Sequence, residues 1–336
     1  MRIRMTSLVA LLLVLVMVVA GCGSSKESAK QQPKYPNGPI TIIAPAGPGS
    51  GWDLTARSVA QVLTEKKIVP VAMPVENRAG GGGVVASSHI IENKKGDAHT
   101  LVVYSPPLLL TNLNGQTKNS YKDLTPIARL FSDYEFFGVK KDSKYKSLKE
   151  VLEALKADPK SVKVGGASAP GSMDHLAFMM AASKAGVNIK EVPYISFQGG
   201  GELIAALLGG SIDVISTSVG DVLGQVEAGN IRGLAVTSPE RLKDPRVANI
   251  PTLKEQGIDA TFEVWRGIFG PPNMPEHAKK YMVEAIEKMS KTEEWANTCK
   301  KYSWVPTYAP ADEFTKFLDE QNKMLGDLLR SMNLIK

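Results

Sequence analysis

Between residues 40 and 236 the chain alternates short apolar runs with longer runs of helical spacing, and this alternation constrains the fold more than any other feature. The segments 40–43, 71–75, 99–104, 162–164, 191–194, 212–216 and 233–236 read as strands. The segments 52–66, 84–91, 148–155, 173–185, 201–208 and 222–228 read as helices. In the first of these, Trp52, Ala56, Val59, Ala60 and Leu63 fall on one face. A helix between two strands carries the chain back to the same end of the sheet, so such strands pair mainly in parallel. The expected class is α/β, with helices on both faces. Beyond residue 275 the pattern turns helical over 276–289, 292–301 and 311–332, with proline-containing joints at 271–275 and 306–310. This tail is expected to pack back on the first part of the chain. Roughly 300 residues exceed one ordinary core, so two lobes are expected.

The first 21 residues read as an export signal. Arg2 and Arg4 precede an apolar run, 8–20, that is short for a bilayer, and small residues then lead to Cys22. Val19-Ala20-Gly21-Cys22 resembles a bacterial lipoprotein signal, which implies that Cys22 is lipidated and becomes the mature N-terminus. Residues 22–37 are polar and aperiodic and read as a lipidated, flexible tether. The expected location is therefore outside the cytoplasm, lipid-anchored on the outer face of the cytoplasmic membrane or in the periplasm. Loss of Arg2 and Arg4 with the signal lowers the formal charge from +6 to +4, and no dense Lys/Arg block remains, so nucleic acid is not an expected partner. Cys299 is the only other cysteine and sits in a helical pattern as a packed thiol.

Two strand-to-helix loops carry the candidate chemistry. The first runs Gly47-Pro48-Gly49-Ser50-Gly51-Trp52-Asp53. It lacks the lysine and hydroxyl of a P-loop and the spacing of a dinucleotide fingerprint. Glycines still admit close backbone approach, and amides at a helix start attract an anion. Ser50 and Asp53 have capping-box-like spacing and either cap this helix or border the anion; capping suits Asp53 better, since its charge repels an anion. The second loop runs from Gly165 through Ala167, Ser168 and Ser172 to His175. Ser168 and Ser172 can donate to a carboxylate, and Ser172 equally fits a helix cap. Hydroxyls recur at two further strand ends, Tyr104-Ser105 and Thr217-Ser218, the latter ahead of Asp221.

Catalytic alternatives are thinner. Pro170 stands where a nucleophile elbow needs glycine, and His175 has no carboxylate partner at matching spacing. An exported serine hydrolase using Ser168 or Ser172 with His175 remains the rival from another class. His89, His99, His175 and His277 are scattered and no metal motif occurs, so neither a metal nor a cofactor is expected.

Pro45-Ala46-Gly47-Pro48-Gly49-Ser50-Gly51-Trp52-Asp53 with Ala56-Arg57 resembles the opening motif of the substrate-binding proteins of tripartite tricarboxylate transporters, the Bug or TctC family. Val75-Glu76-Asn77-Arg78-Ala79-Gly80-Gly81-Gly82 resembles the second motif. Gly209-Gly210-Ser211-Ile212-Asp213, Ala228-Gly229-Asn230-Ile231-Arg232-Gly233-Leu234-Ala235-Val236-Thr237 and Trp265-Arg266-Gly267 extend the match in order. The resemblance implies a type II periplasmic-binding-protein fold: two α/β lobes, each a mixed, mostly parallel sheet flanked by helices. Lobe 1 takes 38–138 and 262–336, lobe 2 takes 139–261, and the crossings lie near 136–140 and 260–264. It also implies a monomeric binder that captures a small di- or tricarboxylate between the lobes and delivers it to membrane permease subunits, or reports it to a receptor. Carried over by position, the first-lobe site is Gly47, Gly49, Ser50 and Gly51 with Tyr104 and Ser105. The second-lobe site is Ala167, Ser168 and Ser172, with Thr217, Ser218 and Asp221 nearer the hinge. The run Ile195-Ser196-Phe197-Gln198 departs from the family's K-G-G, so Ser196 and Gln198 are either specificity residues or turn formers.

Overall fold

The computed structural model describes residues 35–197 and 199–335. The export signal, Cys22, most of the tether and Gln198 lie outside the described residues. The first elements are β1 (Thr41–Ala44), α1 (Gly51–Glu65), β2 (Val75–Asn77), α2 (Val84–Asn93), β3 (Thr100–Tyr104) and α3 (Pro107–Leu113). A 16-residue strand, β4 (Thr125–Lys140), comes next. It is followed by α4 (Leu148–Ala157), β5 (Val164–Gly166), α5 (Met173–Lys184), β6 (Tyr194–Ser196), α6 (Gly200–Leu208), β7 (Val214–Ser218), α7 (Val219–Glu227) and β8 (Ile231–Val236). The tail consists of β9 (Glu263–Gly270), α8 (Glu276–Ser290), α9 (Glu293–Tyr302), β10 (Val305–Pro310) and α10 (Ala311–Ser331). Among the described residues no helix is long and apolar enough to cross a membrane.

The strands order as β2-β1-β3-β9-β4-β7-β5-β6, with β8 and β10 also on β4. Pairing is parallel where strands are joined through helices: β1 with β2 and β3, and β5 with β6 and β7. It is antiparallel wherever β4 or β9 takes part. The sheet is therefore mixed, because these two strands are not products of a βα crossover. β4 belongs to both sheet regions. Its first part, Thr125 to Tyr134, pairs with β9, and its last part, Glu135 to Lys140, pairs with β7 and β8. A second connection runs beside it, where the Phe262 amide donates to Thr237 and the chain enters β9 at Glu263.

Three corrections to the sequence-derived elements have clear causes. β5 is displaced toward Gly165 and Gly166, which lie within the strand because a Cβ on Gly165 would meet Ile212 and one on Gly166 would meet Tyr194 and Asp174. The joint at 306–310 is a strand, β10; Pro306 and Pro310 lack amide hydrogens, and its register on β4 is irregular. α3, with proline at its N-terminus, fills what reads as a plain Tyr104-Ser105-Pro106 loop.

The core lies on both faces of the sheet. On one, Ile42, Ala44, Val59, Leu63, Met282 and Ile286 bring α1 and α8 onto β1. The tail thus packs on the first sheet region. On the other, Trp265, Phe269 and Phe314 meet edge-on or tilted and seat α10 against β9. At about 25 cal/mol per Å² of buried apolar surface, each such aromatic contributes several kcal/mol before entropy is subtracted. β9 is therefore firmly seated in the first sheet region.

Candidate functional site

The first loop folds around its own acid. Gly49 adopts a left-handed φ of 78°, and its amide donates to Asp53 Oδ2 at 2.8 Å. Ser50, at the N-cap, accepts from the Asp53 amide at 3.3 Å. Asn77 Nδ2 (2.8 Å) and Arg57 Nε (3.0 Å) complete the shell around Asp53. Burial opposes the charged carboxylate, but the bonds from Arg57, Gly49 and Asn77 outweigh it and hold Asp53 below its usual range. Asp53 is thus a cap, and Gly49 spends its amide on it. The next amides, Gly51 and Trp52, have no protein acceptor among the described residues, as expected for a first helical turn.

Directly beside this turn stands Arg266 of β9, 4% exposed. A Cβ on Gly51 would lie 2.8 Å from Arg266 Nη2, so glycine is what lets the guanidinium approach the helix start. Nη1 reaches only the carbonyls of Val264 and Trp265 at 3.4 Å, and Nε has no partner. The helix start and the guanidinium together form a concentrated positive pole.

Tyr104 and Ser105 engage the loop itself. Tyr104 is buried, its hydroxyl donating to Gly83 at 2.9 Å, and Ser105 is buried and accepts from Trp52 Nε1 at 2.9 Å. They shape the floor of the loop, holding Trp52 and Gly83, whose φ of 98° brings it against Tyr104.

The second loop also caps itself. Asp174 Oδ2 accepts from the Ala167 amide at 2.7 Å, and Ser168 Oγ accepts from the Asp174 amide at 3.1 Å. The Ser168 hydroxyl in turn donates to the Asp174 carboxylate, and Ser172, at the N-cap, makes no capping bond. His175 Nδ1 accepts from the Gly171 amide at 3.1 Å; burial pushes this ring down to about 4, so it is neutral and locked. Neither serine meets His175 as a nucleophile meets a base. At the end of β7, Thr217 and Ser218 are buried, Thr217 Oγ1 reaches Asp221 Oδ2 at 3.4 Å, and Asp221 itself opens to solvent.

Four carboxyl groups act on the guanidinium electrostatically, none of them within 4 Å as an ion pair: Asp133 and Glu135 on β4, Asp174 at the start of α5 and Asp221 in the first turn of α7. Asp133 and Glu135, two apart on a strand, share a face. Tyr134 between them lines a separate groove of about 1080 Å³ with Leu242, Arg246, Trp304 and Pro306. Asp133 accepts from the amide of Tyr134 (2.8 Å) and from that of Gly220. Glu135 is wholly buried, and neither carboxylate oxygen has a partner. Burial pushes Asp133 and Asp174 each up to about 7, and pushes Glu135 upward as well; Arg266 opposes this for Asp133 and Glu135.

The positive pole and the carboxyl group bring together residues from both sheet regions. Arg266, Asp133, Glu135 and Asp174 are not in the sequence-derived site. The available signal was an Asp-x-Glu pair and a lone arginine inside largely apolar runs, 130–139 and 264–270. Among the described residues no group of three or more His, Cys, Asp or Glu is arranged to hold a metal.

The family described as the tripartite tricarboxylate transporter family receptor matches residues 55–334. Protein BugT of Bordetella pertussis is 27% identical over 305 residues, 88% of this chain and 90% of its own length. A TctC solute-binding protein from Polaromonas, solved without ligand, is 27% identical with a TM-score of 0.68, covering 88% of this chain and 99% of that one. Two structures from Rhodopseudomonas palustris, at 20% identity each, share the fold. MatC, with bound malate, has a TM-score of 0.75 and covers 88% of this chain and all of that one. Rpa4515, with adipate, has a TM-score of 0.80 and covers 89% and 98%.

Proposed function

The chain belongs to the tripartite tricarboxylate transporter receptor family, and from that premise we propose that it captures a small organic carboxylate outside the cytoplasm and hands it to a membrane permease. Members of this family are solute-binding proteins, so the chain is a binder and not an enzyme. The Ser168–His175 hydrolase expectation is thereby set aside, in keeping with a histidine already engaged by Gly171.

The observation that carries the carboxylate reading is the positive pole at the start of α1. The free amides of Gly51 and Trp52 converge beside a buried guanidinium whose Nε has no acceptor. Each charge-assisted bond contributes roughly 1.5–3 kcal/mol before desolvation, so two or three support micromolar binding. Malate and adipate in MatC and Rpa4515 are carboxylates of the expected size.

In this reading 38–138 with 262–336 form one lobe and 139–261 the other. The lobes close on the ligand by flexing where β4 passes from Tyr134 to Glu135 and where Phe262 leads into β9. Closure brings Ser168, Ser172, Thr217, Ser218 and Asp221 toward a carboxylate held at Gly51, and gains contacts that the open state lacks. Lipid on Cys22 tethers the protein near its permease. It acts as a monomer.

Thermal unfolding against mono-, di- and tricarboxylates tests the proposal. A ligand at a hundredfold excess over its dissociation constant adds about 2.7 kcal/mol, read as a rise in Tm. A selective rise with one carboxylate class is expected. Cooperative unfolding with no rise for any carboxylate would refute it.

A further inference from the structure

β4 crosses both sheet regions, and its two ends differ in charge. Thr125, its first residue, pairs with Gly270 at the end of β9, and Lys140, its last, pairs with Ile231 at the start of β8. At about 3.3 Å per residue its 16 residues separate those ends by ~50 Å. Around Lys140 the fold gathers lysines that no dense block marks in the sequence. Lys141 follows β4, Lys156 and Lys160 lie at and beyond the end of α4, Lys163 precedes β5, and Lys184 ends α5. The segments 140–163 and 184–191 carry ten lysines against five acids. Residues 35–336 hold 35 Lys/Arg and 33 Asp/Glu in all, so this end outweighs the net charge of the whole body and leaves the remainder acidic.

The acids on this end are turned largely to backbone amides. Glu150 accepts from Lys146 at 2.7 Å, Asp158 from Lys160 at 2.9 Å and Asp213 from Lys163 at 2.8 Å. Among the described residues, the ion pairs here are Lys140 with Asp142 at 3.4 Å and Lys149 with Glu153 at 3.8 Å. Lys141, Lys156, Lys160, Lys163 and Lys184 are exposed. Flexible point charges spread over a whole end suit a surface of many mobile anions better than one small anion.

The rest of the chain keeps one such surface within reach. The described body begins at Tyr35, whose hydroxyl donates to Ala98 at 2.7 Å just before β3, at the Thr125 end of the molecule. Thirteen residues separate Tyr35 from Cys22, at most ~45 Å of chain. We infer that the Lys140 end docks on a bilayer of anionic phospholipid, so that a body tethered at one end is held at the other as well. The tether belongs to the proposed function; the charged surface does not depend on it. Each lysine near an anionic bilayer strengthens binding by roughly fivefold, and salt screens the attraction beyond ~10 Å.

Residues 35–336 form a compact unit, so the surface is tested without the first 34 residues and any lipid they carry. Sedimentation with vesicles of phosphatidylcholine, alone or with one third phosphatidylglycerol, measures binding at ~50 and ~500 mM salt. At low salt the anionic vesicles are expected to bind ~30-fold or more tightly than the neutral ones, and at high salt the difference is lost. The joint variant Lys141→Gln, Lys156→Gln, Lys160→Gln and Lys163→Gln is expected to weaken this binding ~10-fold or more, whereas arginine at the same four positions keeps it. The same loss of charge at exposed positions of α8 and α10, Lys280→Gln, Lys288→Gln, Lys316→Gln and Lys323→Gln, is expected to leave it within about twofold. Equal binding to the two kinds of vesicle overturns the inference. So does equal weakening by the two glutamine sets, which would assign the attraction to net charge alone. Retention on heparin without vesicle binding overturns the bilayer as the partner. None of these outcomes touches the carboxylate reading, which thermal unfolding tests by itself.

Discussion

The starts of α1 and α5 are built to the same plan and carry opposite electrostatics. Each follows a parallel strand and a Gly/Ser loop, and each is closed by an aspartate that accepts a loop amide and donates its own amide to a serine: Asp53 with Gly49 and Ser50, Asp174 with Ala167 and Ser168. Around Asp53 stand Arg57 and Asn77, and the next turn faces Arg266, so that end is positive and its acid is firmly ionised. Around Asp174 stand Glu135 and Asp221, so that end is acidic; burial, with Asp221 adding to it, pushes the Asp174 carboxyl up to about 7. Motif likeness therefore fixes the capping geometry, but the charge of a helix-start site is set by strands that arrive from elsewhere.

The most severe way to break this contrast is Arg266→Met, which removes the cation shared by both ends. Losing one partner of a buried charge arrangement costs about 2–5 kcal/mol in binding, so the tightest ligand found is expected to weaken ~30-fold or more. The fold survives best at low pH, where the four acids around the lost guanidinium are protonated. Titration together with melting curves at pH 5.5 and 8 checks both statements. Undiminished affinity in a folded Arg266→Met protein would remove Arg266 from the site.

A second prediction concerns the acidic end alone. Asp133 and Asp174 rise from 3.8 to about 7 on folding, so between those values the folded state holds protons that the unfolded state has released. Their stabilising contribution is full below about pH 4 and is lost as pH climbs through about 7. The ligand-free protein is expected to melt higher at pH 5.5 than at pH 8. Glu135→Gln replaces a buried, partnerless carboxyl with a neutral isostere and is expected to raise stability at pH 8 by roughly 1–3 kcal/mol, with less change at pH 5.5. A flat melting profile over pH 5.5–8 would mean that these acids are hydrated and ionised in the folded protein.

The sequence makes the first of the two helix starts almost fully legible and the second only partly. Around Gly47 to Asp53, every decisive residue except Asn77 and Arg266 is local: the glycines, Ser50 and Asp53 act within one turn, and an apolar run and a periodic helix flank them. The acidic end is assembled from β4, α5 and α7, which no local spacing relates. β4 hides for a physical reason. It is exposed nowhere over its 16 residues and mostly buried on both faces, so it lacks the alternation that marks a strand. Its two acids fall inside an apolar run where composition predicts core. Gly165 and Gly166 look like loop glycines and are strand residues, because only the folded neighbours Ile212 and Tyr194 reveal the need for a missing side chain.

The smallest expected effect sharpens the comparison most finely, because it asks whether the two serine caps are equivalent. Ser50 accepts from Asp53 at 3.3 Å and Ser168 from Asp174 at 3.1 Å, and losing a serine cap typically costs about 1 kcal/mol. If capping were all they did, Ser50→Ala and Ser168→Ala would lower the melting temperature alike at every pH. The bonds differ in what they hold, however. Asp53 keeps Arg57, Asn77 and Gly49 when Ser50 is lost, and remains ionised. Asp174 has the Ala167 amide, and the Ser168 hydroxyl, a donor to its carboxylate, is among the few influences lowering a carboxyl that burial raises. Ser168→Ala is therefore expected to destabilise more at pH 8 than at pH 5.5, whereas Ser50→Ala costs the same at both. Parallel melting curves for the two variants decide it: equal pH dependence would make both serines simple caps and would locate the control of the acidic end in β4 alone.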